Sequence, residues 1–199
     1  CSSDLNTPAN PNGMITNPLL ADTDGDGVND RQEALDGTDP NDVCDYNAAS
    51  QVLANVASSW SNADCDNDGL TNGEEATGVD DPNTPANPNG KITNPLLADT
   101  DGDGVSDYQE AMDGTDPTDG CDYDPENQVS ANVSSAWKSA DCDSDGLNNG
   151  EELTGVDDPN TPANPNGMIT NPLLADTDGD GVNDRQEALD GTDPNDVCD

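Results

Sequence analysis

The residues with the clearest chemical role are carboxylates that recur at one fixed spacing. Residues 22–33, DTDGDGVNDRQE, carry aspartate at positions one, three, five and nine, glycine at six and glutamate at twelve. Alternate carboxylates on a tightly curved loop converge on one point, and glycine permits the sharp turn. The residue after glycine offers its carbonyl, and a glutamate on a following short helix can close the sphere bidentately. This pattern of hard oxygen donors predicts a calcium loop.

Four more loops, which start at residues 64, 99, 141 and 176, obey the same rule, with starts that alternate by 35 and 42 residues. Magnesium fits less well, because it prefers six tight ligands and keeps several waters. The sequence therefore predicts Ca²⁺ as cofactor, at five sites or more. The predicted ligands are Asp22, Asp24, Asp26, Val28, Asp30 and Glu33; Asp64, Asp66, Asp68, Leu70, Asn72 and Glu75; Asp99, Asp101, Asp103, Val105, Asp107 and Glu110; Asp141, Asp143, Asp145, Leu147, Asn149 and Glu152; and Asp176, Asp178, Asp180, Val182, Asp184 and Glu187.

Five divalent ions would neutralise only ten of the forty excess negative charges of the chain. Asp36, Asp39 and Asp42 of DGTDPND, with their repeats, are candidates for further sites. The alternative is that these carboxylates cap helices and brace turns on a solvated face. The sequence leaves both interpretations open.

The loops lie in a repeat with a period of 77 residues. Residues 6–45 and 160–199 are identical over 40 positions, and residues 83–122 differ from them at only six. We therefore divide the sequence into a partial unit, 1–45, and two full units, 46–122 and 123–199. Nearly identical tandem units are typical of a linear array in which each unit contacts only its neighbours.

The elements that position the loops are expected to be short. The spacing of Val129, Val133 and Trp137 predicts a helix with Asp124 as its N-cap, and Val52, Val56 and Trp60 repeat the stripe one period earlier. Each EALDG-type segment predicts a helix that glycine stops. Alternating β-branched residues are nearly missing. The expected fold is a mostly irregular, calcium- and disulfide-stapled elongated tandem repeat array with short α-helices and little or no β-strand.

The composition narrows the classes of function. The chain of 199 residues has a net charge of −40, is 30% hydrophobic and lacks both His and Phe. Such a charge disfavours nucleic acid or an anionic membrane as partner, and so little apolar volume cannot form an ordinary core. Ser–His and Cys–His catalysis are excluded, and the paired carboxylates lie on metal-type loops rather than in a cleft. We therefore expect no enzymatic activity.

Six cysteines without histidine indicate disulfides, and hence an oxidising extracellular or cell-surface location. Local pairs Cys44–Cys65 and Cys121–Cys142 are favoured, because each closes a short loop around one valine–tryptophan segment. Cys1 and Cys198 remain. They could join neighbouring subunits head to tail as a fibre; Cys1 could instead carry the lipid anchor of a surface lipoprotein; or the two ends could carry no information about function.

The motif DTDGDGVND followed by DGTDP, at 22–40, 99–117 and 176–194, resembles bacterial thrombospondin type 3 repeats. The resemblance covers essentially the whole chain and weakens to GVDDP at 78–82 and 155–159. It implies a non-enzymatic, calcium-stabilised spacer or stalk in a secreted or surface protein, although no second domain is present here. True EF-hands and dockerins differ, since they place an apolar residue at loop position eight, where this sequence has Asn29, Thr71, Ser106, Asn148 and Asn183.

The functional expectation is thus an extracellular structural rod that self-associates head to tail into a fibre. The alternatives are a calcium-dependent, dockerin-like protein-binding or adhesion module and a lipoprotein stalk. Trp60 and Trp137 discriminate between the rod and the module. Buried tryptophans would be core residues of a rod, whereas exposed ones would be contact residues of a binding module. No transmembrane segment or signal peptide is recognisable, and a sequon at Asn132 and the Thr/Pro-rich connectors are candidates for glycans.

Overall fold

The computed structural model describes residues 13–161 and 165–198, and the chain divides after Ala98 into two compact units. Helices are short and no strand occurs within these ranges. The helices are α1 (Asp30–Asp36), a 3₁₀ turn (Leu53–Asn55), α2 (Ser58–Ser61), α3 (Asn72–Thr77), α4 (Asp107–Asp113), α5 (Ser135–Lys138), α6 (Asn149–Thr154) and α7 (Asp184–Asp190). The predicted mostly irregular fold with short helices is confirmed. The sequence units 1–45, 46–122 and 123–199 stay a prediction.

The five helices that follow the acidic loops begin and end by one rule. The residue at loop position eight is the N-cap: the Asn29 side chain, for example, accepts the backbone N–H of Gln32. Glycine ends each helix in the left-handed conformation, as at Gly37 with φ of 89°. An N-cap side chain satisfies an otherwise unpaired N–H of the first turn, and glycine adopts positive φ without a Cβ penalty. The predicted glycine stops are confirmed.

The short valine–tryptophan helix predicted from Asp124 is wrong in its extent. Only its last turn is helical, as α5, and the equivalent segment contains only the 3₁₀ turn and α2. The reason lies in the hydrogen bonds: the N–H groups of Val129 and Ser134 donate to the carbonyls of Gly104 and Gly102, at 2.9 and 2.7 Å, rather than to the preceding turn. The segment before α5 is therefore irregular and packs against the preceding acidic loop.

Among the described residues, each compact unit has one small apolar core. In the first, Val28, Tyr46 and Trp60 are buried together, with the two rings edge to face at 6.2 Å. In the second, Tyr123 and Trp137 repeat the pair at 6.0 Å. Trp60 and Trp137 are 1% and 3% exposed, so both are core residues and the alternative of exposed contact residues is excluded.

Disulfides join Cys44 to Cys65 and Cys121 to Cys142, as predicted, with Cα–Cα distances of 5.3 and 5.4 Å. Each closes a loop with a sequence separation of 21. Because the bridge lowers the entropy of the unfolded chain, it stabilises the folded state by about 3 kcal/mol. Cys198 is a free, exposed thiol, and Cys1 lies outside the described residues. None of the described helices has the length and apolar character that crossing a membrane requires.

Candidate metal centres

The structure brings together the aspartates at positions one, three and five of every predicted loop. In each triad, one carboxylate oxygen per residue lies within 4.8 Å of the others. Such distances suit donors that surround one ion. The triads are Asp22, Asp24 and Asp26; Asp64, Asp66 and Asp68; Asp99, Asp101 and Asp103; Asp141, Asp143 and Asp145; and Asp176, Asp178 and Asp180.

Backbone hydrogen bonds aim these carboxylates. In the loop at 22–33, Asp22 accepts the N–H groups of Gly25 and Gly27, and Asp26 accepts that of Val28 through Oδ1 at 2.7 Å. Asp24 accepts more weakly from Asp26, at 3.4 Å. At Asp24 and Asp26 the bond occupies Oδ1 and leaves Oδ2 buried without a partner, whereas both oxygens of Asp22 accept backbone N–H groups. The loop backbone thus holds the carboxylates in a converging arrangement.

At seven of the ten aspartates at positions three and five, the Oδ2 oxygen is buried without a hydrogen-bond partner in the described chain. A buried charged oxygen left unpaired is costly, so an array of them calls for a cation. Asp145 is an exception, because its Oδ2 accepts the backbone N–H of Arg185 at 2.8 Å. The unpartnered atoms are Oδ2 of Asp24, Asp26, Asp66, Asp101, Asp103, Asp143 and Asp178.

The glutamates at position twelve lie on the helices that follow the loops. Glu33, Glu75, Glu110 and Glu152 are wholly buried, and Glu187 is 2% exposed. Burial, followed by repulsion from the loop aspartates, raises the pKa of Glu33, Glu110 and Glu152 to about 9 and that of Glu187 to about 7. A carboxylate with these neighbours favours its charged form only when a positive charge is brought among them.

The aspartates of the triads show the same effect. Burial, opposed by backbone hydrogen bonds and reinforced by neighbouring carboxylates, raises the pKa of Asp24 to about 6 and that of Asp26 to about 7. Asp101 and Asp103 repeat these values. The chain carries only four Lys and Arg residues against 44 acidic ones, so it cannot supply the missing charge itself. The donors are all oxygen, which fits Ca²⁺ rather than a thiolate- or imidazole-seeking metal.

The residue at position nine of each loop forms hydrogen bonds with the residue at position two, a role that the sequence analysis missed. Asp30 accepts the N–H and the hydroxyl of Thr23, at position two, at 2.8 and 2.9 Å. In the cysteine-containing loop, Asn72 accepts the N–H of Cys65 and donates to its sulfur, both at 3.1 Å. A hydroxyl needs an acceptor, whereas a disulfide sulfur can only accept. The signal was present in the sequence, because position nine is Asp where position two is Thr and Asn where it is Cys. The ligand role of position nine stays a prediction.

Position seven also does more than offer a carbonyl. The side chains of Val28, Leu70, Val105 and Leu147 are each 1% exposed, whereas Val182 is 38% exposed. The residue at position seven is therefore apolar because its side chain is buried beneath the loop. The residue at position eight caps the helix. Coordination by the position-seven carbonyls stays a prediction.

The candidates for further sites behave as turn and helix residues. Asp39 accepts the N–H of Asn41, Asp42 accepts that of Cys44, and Asp36 accepts from the Gln32 side chain at 2.8 Å. These are local bonds of the kind that brace turns. They support the bracing interpretation for Asp39 and Asp42. The Oδ2 of Asp36 is buried without a partner in the described chain, as in the loops, so a metal role for Asp36 stays a prediction.

The family model described as the bacterial TSP3 repeat matches residues 22–43, 64–78, 99–120, 141–155 and 176–197, and each match contains one aspartate triad. No curated protein and no solved structure matches the chain. Repeats of this family bind calcium, and the five triads stand where the family places its acidic loops. With five matches spread from residue 22 to residue 197, the chain belongs to the bacterial thrombospondin type 3 repeat family.

Proposed function

We propose that this protein is a non-enzymatic, extracellular structural array whose fold is assembled by calcium at all five loops. The observation that carries the proposal is the set of buried, unpartnered carboxylate oxygens in the described loops. Ca²⁺ accepts six to eight oxygen ligands, which matches the donors predicted for each loop. The ions supply the charge that Asp24, Asp26 and Glu33, and their equivalents, otherwise lack.

Calcium binding and folding are one process in this proposal. Without metal, repulsion among the buried carboxylates opposes the folded state, and two small cores and two disulfides offset little of it. Because the unfolded chain has no preformed site, the binding free energy becomes folding free energy.

Circular dichroism and calcium titration test this directly. We expect the metal-free chain to lose its helical signal and to regain it with at least five Ca²⁺ per chain. A chain that keeps the same spectrum and the same small-angle scattering in excess chelator would contradict the proposal. Magnesium at equal concentration is the matched control, and it should restore the signal poorly.

The two disulfides support an extracellular or cell-surface location, where oxidised cysteines persist. The finer proposal is head-to-tail association into a fibre, with Cys198 of one copy joined to Cys1 of the next. Its support is the exposed free thiol of Cys198. Non-reducing electrophoresis and electron microscopy should show oligomers that disappear in Cys1→Ser and in Cys198→Ser. Monomers alone at high protein concentration would exclude the fibre and leave the calcium array standing.

A further inference from the structure

The loops at 64–75 and 141–152 offer calcium the same set of predicted ligands. Both have aspartate at positions one, three and five, leucine at seven, asparagine at nine and glutamate at twelve. Each also carries a disulfide-bonded cysteine at position two and runs into a capped helix, α3 or α6. A difference in their affinity for calcium must therefore come from residues outside the ligand set.

Arg185 contacts the loop 141–152 from outside. This residue belongs to the first turn of α7, the helix that follows the next acidic loop along the chain. Its backbone N–H donates to Oδ2 of Asp145 at 2.8 Å, across 40 residues of sequence. Its side chain lies over Gly146, since a Cβ built on that glycine would be 2.7 Å from Arg185 Cδ and 3.1 Å from Nε. The guanidinium nitrogen Nε thus lies against position six of the loop.

The contact brings a positive charge beside a carboxylate that the loop offers to calcium. Asp145 is 8% exposed, and its Oδ1 accepts the Leu147 N–H at 2.7 Å. Burial raises the pKa of Asp145, whereas the backbone N–H groups of Leu147 and Arg185 and the attraction of the Arg185 guanidinium oppose that rise. Both oxygens of Asp145 are therefore satisfied within the chain, unlike Oδ2 of Asp26 and Asp103, which is buried without a partner in the described residues.

The acidic neighbour of Arg185 in α7 is bound to its own loop. Asp184 accepts the N–H of Thr177 at 2.8 Å with one carboxylate oxygen and its hydroxyl at 2.7 Å with the other. The middle repeat has the same aspartate, Asp107, but its next residue is Tyr108, which carries no charge. The cation in the first turn of the helix is therefore a feature of α7 that α4 lacks.

We propose that Arg185 lowers the calcium affinity of the loop 141–152, so that this loop fills at a higher free calcium concentration than the loop 64–75. The inference rests on the proposed function, because it concerns calcium at one of the five loops. A guanidinium against the loop repels the incoming ion, and the ion must also share Asp145 Oδ2 with the Arg185 N–H. Without calcium, the same positive charge offsets part of the repulsion within the aspartate triad.

The expected size of the effect follows from the charges. A divalent ion and a guanidinium roughly 8 Å apart in a water-like medium repel each other enough to weaken binding about fivefold. Salt at physiological ionic strength screens exposed charges over about 8 Å, so the effect should be confined to the loop that Arg185 contacts.

The experiment titrates the isotopically labelled full chain with calcium in a chelator-buffered series and follows the amide resonances of Gly69 and Gly146 by NMR. Both glycines stand at position six between predicted ligands, so each reports the occupancy of its own loop. In the unaltered chain we expect a higher calcium midpoint for Gly146 than for Gly69. Arg185→Gln should lower the Gly146 midpoint about fivefold and leave the Gly69 midpoint unchanged.

Two further variants separate the charge of Arg185 from its bulk and from charge in general. Arg185→Lys keeps the positive charge, so its Gly146 midpoint should stay closer to that of the unaltered chain than to that of Arg185→Gln. Lys138→Gln is the matched control, because it removes an exposed cation from α5, which packs against the helix α6 of the same loop. It should move the Gly146 midpoint by less than about twofold.

An unchanged Gly146 midpoint in Arg185→Gln would overturn the inference, as would a shift of the same size in Lys138→Gln. Loading of all five loops in these variants would in that case leave the proposed function standing. The proposed function fails on a different result: Gly69 and Gly146 resonances of the unaltered chain that do not respond to calcium at any concentration. The inference would then be overturned with it.

Discussion

Asn72 binds Cys65 twice, since its side-chain oxygen accepts the Cys65 N–H and its amide nitrogen donates to the disulfide sulfur. Asn149 repeats both bonds with Cys142 at 3.0 and 3.2 Å. Where position two is threonine, an aspartate takes the place of asparagine and accepts the hydroxyl, as Asp30 does from Thr23. Positions two and nine thus form a matched donor–acceptor pair that joins the beginning of each loop to its helix.

The pairing predicts that a loop with threonine at position two is destabilised when its position-nine aspartate becomes asparagine. A loop with cysteine at position two should be destabilised by the reverse change, asparagine to aspartate. Asn72→Asp removes the donor to the sulfur, and Asp30→Asn removes one of the two oxygens that accept the N–H and the hydroxyl of Thr23. We expect a loss of about 1 kcal/mol in each case at saturating calcium. Thermal unfolding measures the change, with Asn55→Asp as a control at an exposed side chain. Shifts of opposite sign would show that added or removed charge, rather than the hydrogen-bond partner, decides stability.

Glu33→Gln should change stability in opposite directions with and without calcium. In the metal-free chain it removes a buried carboxylate that repels Asp24 and Asp26, so the folded state gains stability. In calcium it removes the bidentate ligand predicted at position twelve, so binding at that loop should weaken about tenfold or more, or ~1.4 kcal/mol. Calcium titration measures the binding, and the helical circular dichroism signal that the metal-free protein retains measures its stability. Glu126→Gln, at an exposed position, should change neither. An unchanged calcium affinity in Glu33→Gln would contradict the ligand role, and a loss of stability in the metal-free chain would contradict the repulsion.

The raised pKa values of Glu33, Glu110 and Glu152 fix the direction of the pH dependence. The folded-state pKa of about 9 lies above the ordinary 4.5, so the folded metal-free chain binds protons that the unfolded chain releases. The protonated glutamates therefore stabilise the folded metal-free chain fully below about pH 4.5. This part of the free energy of unfolding is lost as pH rises toward about 9. The metal-free chain should therefore unfold as pH rises through this window, while apparent calcium affinity increases, because the ion replaces the protons. Circular dichroism of metal-free protein across the window measures it, and stability that rises with pH would contradict it.

Much of each candidate metal centre could be predicted from the sequence, because its carboxylates are local. Asp22, Asp24 and Asp26 lie within five residues, and the geometry of one tight turn suffices to bring them together. The disulfide pairs also followed from the repeat, since each closes a short segment. Local spacing carries this information without knowledge of the rest of the fold.

The placement of segments 46–65 and 123–142 against the preceding acidic loops could not be predicted in the same way. The four-residue spacing of Val52, Val56 and Trp60 suggested a helical stripe, but the N–H groups of Val52 and Ala57 pair with carbonyls about thirty residues earlier in the chain. A contact of that range competes with helix formation and leaves no periodic trace. The roles of positions eight and nine were visible only as variation among the five loops, which becomes interpretable once the hydrogen bonds are known.

The identical stretches 22–44 and 176–198 allow one substitution to be tested in two environments of the same molecule. Val28→Ala removes two methyl groups from a buried site beside Tyr46 and Trp60, and should cost about 2 kcal/mol at saturating calcium. Val182→Ala makes the same change at a side chain that is 38% exposed, and should cost about 0.5 kcal/mol or less.

Thermal unfolding at saturating calcium compares the two, and hydrogen exchange locates the effect. Exchange should rise at Val52 and Ala57 in Val28→Ala, because their N–H groups bond to the loop that Val28 anchors. Val182→Ala should leave these amides unchanged. Because the flanking sequence is the same in both stretches, local propensity cancels from the comparison and burial alone decides the outcome. Equal losses in the two variants would mean that the valine acts through its own loop, and that segment 46–65 contributes nothing to the stability of residues 22–44.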